Sequence, residues 1–183
     1  LAAELARVVT PETIGVGDGG DVVGCASRIV PVHRPGQWLD PGPLGCLGIG
    51  PSFALTAKLL RPSQRVLLIA GDGAFGLNGM EMETAVRFGL PLTCVVGNDG
   101  GWGQIRNPQT SFYGEARAVA TSLPNTRYDL MVEALGGRGA LVTEPRELGP
   151  ALERALGSDE VWCLNVILDP EAYKKTGTVS MAI

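Results

Sequence analysis

Two kinds of apolar pattern alternate along the chain. Residues 66–70 (VLLIA) and 92–96 (LTCVV) are short, nearly continuous apolar runs of strand length. Residues 161–168 (VWCLNVIL) form a third, whose unbroken hydrophobicity suits a strand buried on both faces. Residues 13–17 and 140–143 read as further strands. Between these runs lie stretches with helical spacing or helix boundaries. They are 1–9, stopped before Pro11, 22–29, 52–60, 78–88, 128–135, ended by Gly136-Gly137, and 147–156, with Leu148, Leu152 and Ala155 on one face. Strands alternating with helices predict an α/β fold, a doubly wound, mainly parallel sheet of about six strands with helices on both faces.

The length of 183 residues fits a single domain over 1–183 with a sizeable core. The chain opens on Leu1 inside what reads as a helix, which suggests a piece of a longer polypeptide. Hydrophobic residues make up 45% and charged residues 19%, with a net charge of -4. No basic surface for nucleic acid stands out. No apolar run approaches the roughly 20 residues of a membrane span, and no signal peptide is visible, so a cytoplasmic protein without a membrane partner is expected. Cys25, Cys46, Cys94 and Cys163 form no C-x-x-C pair and read as reduced small hydrophobes. His33, in the proline-rich connection 31–43, reads as solvated. Residues 104–126 look like an irregular loop, with Phe112 and Tyr113 as packing anchors. The tail 169–183 has no periodicity. Glycine changes the picture. Its 26 residues are about twice ordinary usage, and many fall in 15–24, 42–50 and 71–79, where backbone is expected to approach a ligand closely.

The stretch 66–103 carries the chemistry. It reads as strand, turn, helix, strand, turn, which puts Gly71-Asp72-Gly73 and Asn98-Asp99-Gly100-Gly101 at the carboxyl ends of neighbouring parallel strands. Gly71 to Gly76 satisfies the G-x-G-x-x-G dinucleotide fingerprint, and a nicotinamide-dependent dehydrogenase is one reading of it. Electrostatics argue against that reading. Asp72 lies between the two glycines that should approach a pyrophosphate, and Asp99 ends the next strand. Two carboxylates repel a diphosphate unless a cation lies between them. With Mg2+, which takes one or two carboxylates and completes its octahedron with phosphate oxygens, the arrangement becomes a metal-diphosphate site.

Gly71-Asp72-Gly73, a spacer of 24 residues (74–97), then Asn98-Asp99 resembles the signature of the thiamine diphosphate-dependent enzymes. The resemblance spans most of the chain and is strongest over 39–103. It is closest to the C-terminal, diphosphate-binding domain of the acetolactate synthase group, with the 2-hydroxyacyl-CoA lyases and oxalyl-CoA decarboxylases. It implies thiamine diphosphate and Mg2+ as cofactors. By resemblance Asp72, Asp99 and the Gly101 carbonyl hold the metal, and the amides of Gly73 and Ala74 meet the diphosphate. Asp99 stands where the family commonly has Asn, which keeps an oxygen ligand and adds charge. Gly19 and Gly20 become candidates because the loop after the first strand lies by the diphosphate, although Asp18 and Asp21 read equally well as helix caps. Gly45 matches a glycine whose carbonyl accepts from the aminopyrimidine. Leu47 matches the apolar wedge that bends the cofactor, so its own proton can be removed by the cofactor's imino nitrogen. Plain core packing is the alternative for Leu47, and scaffold the alternative for Trp102 and Gln104.

The implied activity is cleavage or formation of a carbon-carbon bond next to a carbonyl. Acetolactate synthase-like and 2-hydroxyacyl-CoA lyase-like chemistry are both open, with a 2-keto acid or a 2-hydroxyacyl-CoA as substrate. The segment 100–105 lacks the Gln-His-Leu-Gly pattern associated with biosynthetic acetolactate synthases. An oxalyl-CoA or 2-keto acid decarboxylase, and a non-catalytic regulatory relative, are further alternatives. The family's pyrimidine-binding domain has no room in 183 residues, so N-terminal domains or a partner subunit must complete the site, in a homo-oligomer of the whole enzyme. In some relatives a C-terminal tail closes over the site, and Lys174-Lys175 could then meet coenzyme A phosphates; a solvated tail is the alternative.

Overall fold

Successive residues of one central strand feed two separate cores. Val66, Leu68 and Ala70 join one apolar cluster, and Leu67 and Ile69 join the other. This is the two-residue period of a strand buried on both faces. The computed structural model describes residues 1–171. In chain order the regular elements are α1 (Ala2–Val8), β1 (Thr13–Asp18), α2 (Gly20–Ala26), β2 (Trp38–Leu39), α3 (Gly50–Leu60), β3 (Arg65–Gly71), α4 (Asp72–Asn78) and α5 (Glu81–Arg87). They continue with β4 (Thr93–Asn98), α6 (Gly103–Tyr113), α7 (Tyr128–Ala134), β5 (Arg138–Val142), α8 (Pro145–Leu156) and β6 (Trp162–Ile167).

The six strands form one sheet in the order β2-β1-β3-β4-β6-β5, and all five pairings are parallel. One face is covered by α3, α4, α5 and α7, through Ala54, Phe75, Met82 and Val132. The other is covered by α1, α2 and α8, through Leu5, Ala26 and Leu152. The doubly wound α/β expectation therefore holds. From β1 the chain first moves outward to β2 and then returns to the other side of β1 as β3. The order reverses between β1 and β3, and such a switch point opens a crevice at the carboxyl ends of the strands.

Five details depart from the sequence reading. The edge strand β2 is only two residues long, too short to register as a pattern. The helix expected over 78–88 is α5, over Glu81–Arg87, and a second helix, α4, precedes it from Asp72, inside the stretch read as a turn. Residues 103–113 are the helix α6 rather than a loop; it buries no residue and contains Pro108, so no apolar stripe announced it. Phe112 and Tyr113 are not anchors, being 70% and 72% exposed. All four cysteines are free; Cys94 and Cys163 are buried as expected, but Cys46 is exposed. His33 is exposed. Among the described residues no helix is long and apolar enough to cross a membrane. Lys174, Lys175 and the tail beyond Glu171 lie outside the described residues.

Candidate functional site

Strands β1, β3 and β4 are neighbours, and each ends in glycine-rich backbone: the start of α2 after β1, the start of α4 after β3 and the 99–102 loop after β4. The register pairs Asp18 with Ala70 and Gly71 with Gly97, so the residues that follow emerge side by side at one edge of the sheet. A single cleft there is lined by Gly20, Asp21, Leu47, Gly71, Asp72, Gly73, Ala74, Asp99, Gly101, Trp102 and Gln104, among others. The structure thus brings together nearly every residue singled out in the sequence. Gly19 lies beside the cleft, beneath Leu47, and Gly45 is set apart on an exposed turn.

Asp72 is the first residue of α4 and only 2% exposed. Its Oδ1 accepts the Gly73 amide at 2.8 Å, and its Oδ2 accepts the Gly101 amide at 3.1 Å. Burial pushes its pKa up, and the amides of Gly73, Gly101 and Gly100 oppose the rise. Asp99, just past β4, is half-buried. Burial first, then the charges of Asp72 and Asp21, raise its pKa to about 6. Asp21, in the first turn of α2, is raised by burial against an opposing side-chain hydrogen bond from Gln104, and its Oδ2 is buried with no hydrogen-bond partner. A Cβ placed on Gly103 would lie 2.9 Å from Asp21 Oδ2 and 3.3 Å from Asp99 Oδ2, so these two carboxylates face the same point.

Three carboxylates therefore converge, and no ion pair among the described residues reaches any of them. This is a local excess of negative charge that a hard divalent cation would relieve. Among the described residues no set of three or more His, Cys, Asp or Glu side chains is arranged to hold a metal by itself. The donor set fits an ion completed by a backbone carbonyl and a ligand's phosphate oxygens rather than a closed protein cage. Glycine is needed where backbone and ring crowd together: a Cβ on Gly73 would lie 2.7 Å from the Trp102 ring, which forms one wall of the cleft.

Leu47 reaches the same cleft by a different route. Asp18, fully buried at the end of β1, accepts the Gly48 amide at 3.0 Å and the Gly50 amide at 2.8 Å. It caps neither α2 nor a ligand, and instead ties down the loop that carries Leu47. Burial raises its pKa, and the Gly50 and Gly48 amides oppose the rise. Leu47 itself is 38% exposed and packs over Gly19, whose φ of +63° no side chain adopts easily. A Cβ on Gly19 would collide with Leu47 Cδ2.

The family described as thiamine pyrophosphate enzyme, C-terminal TPP binding domain, matches residues 18–166. The chain belongs to that family. Thiamine pyrophosphate is another name for thiamine diphosphate, so the cofactor expectation stands and the dinucleotide reading of Gly71 to Gly76 gives way. An acetolactate synthase large subunit of Mycobacterium tuberculosis is 47% identical over 179 residues, covering 97% of this chain and 32% of that protein. The 2-hydroxyacyl-CoA lyase 2 of Bos taurus is 42% identical over 151 residues, covering 82% of this chain and 23% of that protein. Its Homo sapiens counterpart is 45% identical over 135 residues, with 74% and 21% covered. The chain spans about a third or less of the length of these curated relatives.

Sequence reasoning missed two parts of this site. Asp21 was legible only as one half of an ambiguous Asp18-Gly-Gly-Asp21 loop. The fastening of the 99–102 loop by residues 121–128, described below, left no local signal, because the partners lie far apart in sequence.

Proposed function

We propose that this chain forms the cation and diphosphate half of the active site of an enzyme that makes or breaks a carbon-carbon bond next to a carbonyl. The observation that carries the reading is the meeting of Asp72, Asp99 and Gly101 at one edge of the sheet, with no ion pair to either carboxylate among the described residues. In this reading Asp72, Asp99 and the Gly101 carbonyl hold Mg2+, and the amides of Gly73 and Ala74, with Gly19, Gly20 and Gly71 close by, take the diphosphate. Trp102 walls the cleft. Bound thiamine diphosphate supplies the electron sink that lets the carbon-carbon bond break or form. Leu47 would pack against the bound cofactor and Gly45 would offer it a carbonyl acceptor. Asp18 acts on both only through the loop.

The domain that completes the site comes from further polypeptide or from a partner subunit, in a homo-oligomeric enzyme with the cofactor at the interface. The large exposed side chains Leu44 and Leu77, which flank the Leu47 loop at 86% and 59% exposure, are surface for it to cover. The substrate is a 2-keto acid or a 2-hydroxyacyl-CoA; one group of relatives is named for acetolactate synthesis and the other for 2-hydroxyacyl-CoA lysis.

The test is to assay the complete enzyme with pyruvate and, separately, with a 2-hydroxyacyl-CoA, each with and without thiamine diphosphate and Mg2+. Turnover of one of them that needs both cofactors supports the proposal and assigns the substrate class. Carbon dioxide release without a new carbon-carbon bond assigns the decarboxylase alternative. No turnover of either, despite cofactor binding, would leave the regulatory alternative and overturn the proposal.

A further inference from the structure

We infer that residues 121–129, with Asn165 behind them, form a clamp that holds the start of α4 and the 99–102 loop in register, and that Tyr128 and Asn165 are positioning residues for that site. The inference rests on the reading of Asp72, Asp99 and Gly101 as cation ligands, and it concerns what keeps them together.

One stretch of chain touches both segments. On the side of β4, Trp102 N–H donates to the Thr121 carbonyl at 2.9 Å and Leu123 N–H donates to the Gly100 carbonyl at 2.8 Å. Gly101 and Ser122 between them form an isolated antiparallel bridge. The Asn98 side chain, last residue of β4, donates to the Thr126 carbonyl at 3.0 Å. On the side of β3, the Tyr128 hydroxyl donates to the backbone carbonyl of Asp72 at 3.0 Å. The start of α4 and the 99–102 loop therefore share a single support, and they meet where Gly101 N–H donates to Asp72 Oδ2.

Asn165 anchors that support to the sheet. It is fully buried on β6. Its Nδ2 donates to the Thr126 carbonyl at 3.0 Å and to Asp129 Oδ1 at 3.1 Å, and its Oδ1 accepts from Asn98 at 3.1 Å. Asp129, 3% exposed as a side chain, is gripped in turn by the Arg127 guanidinium at 2.6 Å. Asn98 Oδ1 alone in this network is buried without a hydrogen-bond partner among the described residues; the remaining bonds hold the chain firmly, because breaking any of them leaves a buried group without water. A network serving only the core would end on core elements. This one ends on Asp72, Asn98, Gly100 and Trp102, all within two residues of the proposed ligands.

Tyr128→Phe is the cleanest probe, since the ring can keep its edge-to-face contact with Phe75, centroids 5.3 Å apart, while the hydroxyl is lost. In the complete enzyme, this variant and Asn165→Leu are expected to weaken Mg2+ binding in the presence of thiamine diphosphate by about tenfold to 100-fold, the usual range for groups that orient metal ligands. In Tyr128→Phe the melting temperature should stay close to that of the parent, and kcat at saturating Mg2+ should change far less than the Mg2+ requirement. A second readout needs no cofactor. Amide exchange at Gly101 and Trp102 in the metal-free enzyme should be faster in Tyr128→Phe than in the parent. Parental exchange at these amides in Tyr128→Phe would overturn the clamp, as would parental Mg2+ affinity in both variants. If the parent itself shows no Mg2+-dependent cofactor binding, the proposed function fails, and the exchange comparison still decides the clamp.

Discussion

Oδ2 of Asp72 accepts the backbone amide of Gly101 at 3.1 Å, a bond that joins the first residue of α4 to the loop after β4. With Oδ1 held by the Gly73 amide at 2.8 Å, the carboxylate is oriented by the fold itself, before any ligand arrives. A site held in place this way loses little freedom on binding. Its electrostatics should then be visible in the metal-free protein.

Acidification is the first such test. Asp99 titrates at about 6 rather than at 3.8 because burial, then Asp72 and Asp21, disfavour its charge. Its contribution to metal-free stability is full below 3.8 and is lost as pH rises through about 6. The metal-free protein should therefore gain stability from this group between pH 7 and pH 5. Mg2+ binding needs the ionised form, so affinity should fall over the same window, by up to about tenfold per pH unit below 6. Titration calorimetry at stepped pH measures this, and an affinity flat from pH 7 to 5 contradicts a ligand role for Asp99.

Asp21→Asn removes one source of that shift without touching a proposed ligand. The Asp99 pKa should drop toward its ordinary value, readable by carboxyl carbon NMR. The pH at which Mg2+ affinity is half lost should move down with it. An unmoved Asp99 would mean that Asp21 is too well screened to matter.

Much of this was legible in the sequence, and the exceptions share a cause. The strands β3 and β4 announced themselves because burial on both faces demands continuous apolar runs. The Gly71-Asp72-Gly73 and Asn98-Asp99 turns stood out because the strands before them ended so clearly. In contrast, α4 was hidden by glycines at 73, 76 and 79, which read as turn residues although the backbone there is helical. The helix α6 was hidden because it buries nothing. Contacts such as Asn98 to Asn165, 67 residues apart, are fixed only when the sheet assembles β4 beside β6. Asp18 falls in the same class: its partners, Gly48 and Gly50, are 30 and 32 residues away.

Asp18→Ala should consequently act at a distance. It leaves two backbone amides without their acceptor in a buried place, at a cost of about 1–3 kcal/mol for each that finds no water. Urea unfolding should show that loss, and thiamine diphosphate affinity should fall with it. Asp18→Asn, which keeps one carbonyl acceptor, should recover part of both. Equal behaviour of the two variants would show that the paired amides do not set the loop.

Leu47→Ala separates wedge from core. At 38% exposure the side chain has less to lose than a buried leucine, and stability should fall by about 1 kcal/mol or less. Turnover in the complete enzyme should drop by an order of magnitude or more if Leu47 holds the cofactor's bent shape. A loss of 2–5 kcal/mol, the range for a leucine truncated in a core, with turnover intact, assigns Leu47 to packing instead.

The central claim is that the carboxylates at the ends of β3 and β4 bind a diphosphate through a divalent cation. Calorimetric titration of the complete enzyme with thiamine diphosphate, with and without Mg2+, tests it most directly, with Asp72→Ala run in parallel. Binding is expected to require Mg2+ and to disappear in Asp72→Ala. Binding of equal strength without the metal, or binding that survives in Asp72→Ala, would contradict it.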